Sequence, residues 1–223
     1  MESTLSSYRP MPRQTFIARE GMPFVGIAVF ATLVLFLVGL PLGAALMACV
    51  AAFVTYFFRN PERAVPQGAG LVVSPADGRV LSVEGGARAP YTGAPSTRVS
   101  IFMSVMNVHI NRFPVAASVK RAVYHPGKFF VASLDKASEH NERSGLVLAD
   151  EGGREFVVVQ IAGIVARRII SYVREGDSLG RGERFGLIRF GSRVDLYMPP
   201  EYAPQVRAGD RLKGGESVVG RLP

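Results

Sequence analysis

The residues through which this chain could do nucleophilic or acid–base chemistry are few: three histidines, one cysteine and a Gly191-Ser192 pair. Cys49 lies inside a long apolar block, which removes it as an exposed thiol nucleophile, a disulfide partner or a metal ligand. A serine hydroxyl is a poor nucleophile until a base takes its proton, so a reactive Ser192 needs His109, His125 or His140 beside it. A glycine before the serine leaves the preceding carbonyl uncrowded and lets a strained turn form. The hydroxyl can then attack that carbonyl through a five-membered transition state and turn the amide into an ester. Gly-Ser is also ordinary turn vocabulary, so the pair gains meaning only from its context.

That context is Arg184-Phe-Gly-Leu-Ile-Arg-Phe-Gly191-Ser192-Arg193-Val194-Asp195. It resembles the self-processing phrase R-F-G-x-I-x-F-G-S-R-V-D of the short bacterial and archaeal phosphatidylserine decarboxylases, and the whole phrase is intact. Ser74-Pro-Ala-Asp77-Gly-Arg-Val80 resembles the family's S-P-x-D-G-x-V, and Val108-His109-Ile-Asn-Arg112-Phe-Pro114 its V-H-x-x-R-x-P. Leu134-Asp-Lys-Ala-Ser-Glu-His-Asn141-Glu142-Arg143 and Gln160-Ile-Ala-Gly-Ile-Val-Ala-Arg167-Arg168-Ile169 extend the likeness, which covers residues 56–223. Alone, an Asp-Gly pair reads as a turn and a histidine in an apolar run as a buried one. The ordered set of phrases shifts that reading.

The resemblance implies a proenzyme that cuts itself between Gly191 and Ser192, giving chains 1–191 and 192–223 that stay together. By the same resemblance, Asp77 orients His109 and His109 takes the Ser192 proton. β-Elimination from the ester leaves dehydroalanine, which tautomerises and loses ammonia, so that residue 192 becomes a covalent pyruvoyl group. That carbonyl condenses with an amine and acts as an electron sink, with no need for pyridoxal phosphate or a metal. The implied reaction is decarboxylation of phosphatidylserine to phosphatidylethanolamine. In one respect the chain departs from the longer bacterial branch. There a second histidine stands three residues before the matching one, where this chain has Met106, so the proton donor to the product is not carried over.

These residues have to be positioned by something other than the first quarter of the chain. Residues 1–20 form a polar arm with Arg9, Arg13 and Arg19, and no charged residue occurs between Glu20 and Arg59. The apolar block 21–58 is longer than the roughly 20 residues of one bilayer span, and Gly39-Leu40-Pro41-Leu42-Gly43 breaks it near the middle. The spacing predicts two short helices, 24–38 and 44–58, in a hairpin that crosses or dips into a membrane; a single tilted helix is the alternative. Arginines flank both ends, which suits a cell-membrane location with the rest of the chain on the cytoplasmic face. A net charge of +8 also suits an acidic lipid surface, and no nucleic-acid-binding motif is present.

From residue 59 onward, short β-branched and alternating segments are punctuated by Gly, Pro, Asp and Asn. A helix is a further possibility over Gly163–Tyr172. The motif Val173-Arg-Glu-Gly-Asp-Ser-Leu recurs as Val206-Arg-Ala-Gly-Asp-Arg-Leu, a turn-and-strand pattern of barrel-sandwich folds that predicts two similar corners of one barrel. The expected fold is mainly β: a compact β-barrel or barrel-sandwich-like domain, 59–223, behind an N-terminal hydrophobic helical hairpin.

A rival reading is a carrier domain, because Asp135-Lys136-Ala137 resembles the lipoyl-domain hairpin that bears a modified lysine. It leaves both the apolar block and the Phe190-Gly191-Ser192-Arg193 phrase without a use. Arg112, Lys128, Arg143 and Arg167 are candidates to hold a lipid phosphate, since a guanidinium binds phosphate bidentately. His125 and His140 have no assigned role.

Overall fold

The computed structural model describes residues 15–127, 141–163, 169–189 and 192–223, and the chain divides at Glu62/Arg63 into two compact units. The N-terminal unit is two apolar helices, α1 (Met22–Leu37) and α2 (Pro41–Phe57). Each has proline in its first turn, where the missing N–H costs nothing, and Gly39 with φ 76° makes the reversal between them. This is the expected hairpin, with α2 beginning three residues early at Pro41. An antiparallel bridge between Ile17 and Arg59, with Ala18 N donating to Phe58 O at 2.8 Å, ties its two ends together. Among the buried residues of the two helices are the small Ala28, Ala44 and Ala51. Ile27, Phe30, Phe36, Leu37, Leu42 and Leu46 face outward instead, the reverse of a water-soluble helix pair. The stretch Arg19–Leu37 is long and apolar enough to cross a membrane, and α2 is one residue short of that measure.

The second unit contains strands β1 (Leu71–Val73), β2 (Gly78–Arg88), β3 (Pro95–Met103), β4 (Ile110–Arg112), β5 (Ala117–His125), β6 (Arg143–Ala149) and β7 (Glu155–Ala162). They continue as β8 (Ile169–Ser171), β9 (Ser178–Leu179), β10 (Arg184–Ile188), β11 (Ser192–Met198), β12 (Ala203–Pro204), β13 (Arg211–Leu212) and β14 (Val218–Arg221). The largest sheet has the order β13-β2-β3-β11-β7-β6-β5-β9, and two smaller ones the orders β1-β14-β12 and β4-β10-β8. The mainly β expectation holds, but the sheets stay open and no barrel closes among the described residues. The large sheet ends on the two-residue strands β13 and β9. The end of the stretch read as a possible helix is strand β8; residues 164–168 lie outside the described residues.

β11 is central and buried throughout. Ser192, Val194, Leu196 and Met198 alternate with Arg193, Asp195 and Tyr197, so the strand has two interior faces. The first carries the main core with Val99, Ile101, Met103, Val158 and Phe185. On the second, Tyr197 joins Val157, Val159 and Ile161.

The repeated motif forms two matching corners. Gly176 (φ 90°) donates its N–H to Val119 O and Gly209 (φ 97°) to Val80 O, each at 2.9 Å. Positive φ is the conformation glycine adopts without steric cost. Asp177 Oδ2 accepts from Arg174 N at 3.0 Å, and Asp210 Oδ2 from Arg207 N at 2.9 Å. Leu179 and Leu212 then enter the core. The repeated Gly-Asp-x-Leu is thus one turn used twice, once against β5 and once against β2.

Candidate active site

Ser192 opens β11, with Met103 of β3 and Ala162 of β7 as its register partners. Its side chain is fully buried, and its Oγ lies 3.4 Å from the Met103 sulfur. His109, also fully buried, precedes β4. The turn before it is stapled by Asn107, whose Oδ1 accepts from Ser104 N at 2.9 Å and from Ser104 Oγ at 2.8 Å. That turn presents the Asn107 carbonyl to His109 Nδ1 at 2.9 Å. A carbonyl only accepts, so Nδ1 carries the proton and Nε2 is left as the basic nitrogen.

The two residues are linked along the chain through β10. Ile188 N donates to His109 O at 3.2 Å, and the four-residue step from Ile188 to Ser192 spans at most about 14 Å even when extended. The Gly191-Ser192 bond therefore lies on a short tether that begins at His109. Gly191 itself, with residue 190, is outside the described residues.

Asp77 sits in the turn between β1 and β2. Its carboxylate accepts from Arg63 Nη2 at 2.9 and 2.8 Å and from Gly214 N at 2.7 Å. Among the described residues no hydrogen bond joins the Asp77, His109 and Ser192 side chains directly. The orienting bond that the resemblance gives to Asp77 comes here from the Asn107 carbonyl. The Asp77 loop does reach the site, because Pro75 O accepts from Arg112 N at 2.9 Å.

Two buried amides beside Ser192 escaped the sequence reading. Gln160 Nε2 donates to Asn111 Oδ1 at 2.7 Å, and Asn111 Nδ2 lies 3.7 Å from the same Met103 sulfur that Ser192 touches. Both stood inside quoted phrases; a single polar residue among apolar ones in a buried strand was the available signal. Asn141 and Glu142 support the same corner. Asn141 Nδ2 holds Ala162 O at 2.7 Å, while Glu142 Oε1 accepts from Ile169 N at 3.2 Å.

On the other face of β11, Arg193 and Asp195 form an ion pair at 2.6 Å, and both are almost fully buried. Arg193 Nη2 also donates to Ser100 Oγ at 3.0 Å. Burial, and then the Asp195 charge, push the Tyr197 phenol above its ordinary pKa. Arg143 lines a cavity of about 230 Å³ on this face with Tyr91, Asp195 and Tyr197. Arg112 is buried with its Nη1 on Gly182 O at 2.8 Å, which makes it part of the turn rather than an open phosphate ligand. His125 stacks on Tyr91 with ring centroids 5.9 Å apart. Met106 is exposed in the turn before His109. Lys128, Lys136, His140 and Arg167 lie outside the described residues; among the described residues no group of metal-ligating side chains occurs.

The phosphatidylserine decarboxylase family profile matches residues 50–220, which takes in the whole of this site. The chain belongs to that family. It is 51% identical over 205 residues to a phosphatidylserine decarboxylase proenzyme of Nitratidesulfovibrio vulgaris, covering 92% of this chain and 94% of the relative. A proenzyme of the same name from Symbiobacterium thermophilum is 49% identical over 211 residues, 95% of this chain and 98% of the relative. One from Syntrophus aciditrophicus is 46% identical over 217 residues, with 94% and 99% coverage. The phosphatidylserine decarboxylase family is a family of enzymes.

Proposed function

We propose that this chain decarboxylates phosphatidylserine to phosphatidylethanolamine, and that it does so after cutting itself between Gly191 and Ser192. The observation that carries the reading is the tether. Ile188 is bonded to His109, Ser192 is fixed on β11, and the basic Nε2 of His109 belongs to the residue where the tether begins.

His109 Nε2 takes the Ser192 Oγ proton, and the oxygen attacks the Gly191 carbonyl carbon. Asp77 acts at one remove, holding the loop that carries Pro75 against β4. Once cut, the small chain 192–223 stays with the large chain 1–191, since β11 lies between β3 and β7, β13 pairs with β2, and β14 with β1.

A covalent pyruvoyl group at position 192 suits its surroundings. The site is closed to solvent, and an unpaired acceptor, Gln160 Oε1, is buried beside it. When formed, the group supplies an electrophilic carbonyl and electron sink for the substrate's amine. The chain's own residues exclude water from it through Met103 and Ala162 and hold its strand through Arg193.

The outward-facing apolar hairpin anchors the protein in the cell membrane, and the arginines at its two ends, Arg19, Arg59 and Arg63, favour the cytoplasmic side for those ends. The test uses carboxyl-labelled phosphatidylserine in vesicles. The purified wild-type chain should release labelled carbon dioxide and Ser192→Ala should not; equal release from both would remove Ser192 from the reaction.

A further inference from the structure

Gln160 is buried, yet its Oε1 has no hydrogen-bond partner among the described residues. Leaving a buried amide oxygen unpaired is costly, so its position calls for a reason. The orientation of the amide is fixed by its neighbours. Asn111 Nδ2 faces two acceptors, Pro75 O at 3.5 Å and Met103 Sδ at 3.7 Å. That turns Asn111 Oδ1 toward Gln160, whose Nε2 must donate to it. Reversing either amide sets oxygen against oxygen or wastes a donor. Oε1 is therefore an acceptor held ready for a donor that the described residues do not supply.

Its location says which donor. Gln160 is opposite Val194 and Ala162 is opposite Ser192, so Gln160 and Ser192 are diagonal neighbours on one sheet face, about 7–8 Å apart between backbones. The self-processing phrase makes room for this amide. A Cβ on Gly186 would lie 2.5 Å from Ile170 O and 3.1 Å from Gln160 Nε2. Any larger residue at the phrase's first glycine would displace the glutamine.

In the proenzyme the nitrogen of residue 192 is a peptide nitrogen. The acyl shift changes that: Oγ bonds to the Gly191 carbonyl carbon, the C–N bond breaks, and the nitrogen takes a proton to become an amine. We propose that Gln160 Oε1 is the acceptor for this newly released amine on residue 192, a catalytic contact that favours the ester over the original amide. The inference rests on the self-cleavage reading. Later steps leave Gln160 unchanged. Loss of the Cα proton breaks the Cβ–Oγ bond and frees the Gly191 carboxylate, and water then replaces the nitrogen, which leaves as ammonia.

The test compares full-length wild type, Gln160→Met, which keeps the volume without the amide, and Gln160→Glu, which keeps an acceptor oxygen. The readouts are the rate of chain cutting, the fraction of uncut chain that hydroxylamine splits (it cleaves esters, not amides), and Tm. Gln160→Met should cut about tenfold more slowly, the rate equivalent of one hydrogen bond, with less hydroxylamine-sensitive chain. Gln160→Glu, kept protonated by burial so that its hydroxyl takes over the bond to Asn111 Oδ1, should stay within about threefold of wild type. Should Gln160→Met fail to fold, Gln160→Asn carries the test: it keeps the amide but withdraws the oxygen by one methylene, and must also slow cutting. Wild-type rates in the Met or Asn variant, or equal slowing in Met and Glu, overturn the proposal while leaving self-cleavage standing. A wild-type chain that never cuts overturns both.

Discussion

The Ser192 hydroxyl rests 3.4 Å from the sulfur of Met103. A thioether is a weak acceptor, so this contact neither deprotonates the serine nor holds it firmly, and attack on Gly191 requires the hydroxyl to leave it. Removing the hydroxyl breaks no strong bond. Ser192→Ala should therefore fold with wild-type Tm and run as one uncut, inactive chain on a denaturing gel. Normal splitting of that variant would move the cleavage elsewhere.

His109 has Nδ1 committed to Asn107 O, so any proton it takes from Ser192 goes to Nε2. General-base assistance contributes about 10²–10⁴-fold, and His109→Ala should slow cutting by at least the lower figure in a time course from freshly translated chain. Complete cutting at the first time point would remove His109 as the base.

Asp77 is a different case. With Arg63 it forms a pair whose side chains are 12% and 8% exposed, and breaking a buried pair from one side costs about 3–5 kcal/mol. Asp77→Asn should lower Tm by several degrees, at about 2–4 °C per kcal/mol, and slow cutting by loosening the Pro75 loop. Unchanged Tm together with unchanged cutting would deny Asp77 both tasks.

Arg193 and Asp195 repeat this relationship more deeply, at 2% and 1% side-chain exposure. Arg193→Met should cost about 3–5 kcal/mol, because it leaves a buried carboxylate alone. The double variant with Asp195→Leu should recover much of the loss. Urea denaturation of the four proteins in the cycle measures this; a double variant as unstable as the sum of the singles would exclude the coupling.

Tyr197 links the same face to pH. Its pKa is raised in the folded chain, chiefly by burial, so the folded state holds this proton more tightly than the unfolded state, and stability falls as pH rises. The contribution is whole below the unfolded value of about 10 and is lost above it. Tyr197→Phe should flatten the alkaline side of a Tm-against-pH profile; a profile that still falls as steeply would assign the loss to other groups.

Much of this was legible in the residues. The hairpin could be read from an uncharged block broken at Gly39, and the paired corners from the Gly-Asp-x-Leu repeat, because turn chemistry is local. The tether from His109 to Ser192 was not legible, since it depends on β10 lying between β4 and β8, a pairing that no local pattern encodes. Nor was the partner of Asp77: Arg63 and Gly214 converge on it from opposite ends of the unit. The open sheets differ from the barrel expectation for a similar reason, as short edge strands end a sheet only once its full order is known.

The most direct test is an intact-mass spectrum of the purified wild-type protein under denaturing conditions. The expected result is two chains divided at 191/192, the small one lighter than its sequence by the mass of one ammonia and resistant to N-terminal sequencing. A single chain of full mass from active protein would contradict self-cleavage, and extra mass on Lys136 in that chain would point to the carrier reading.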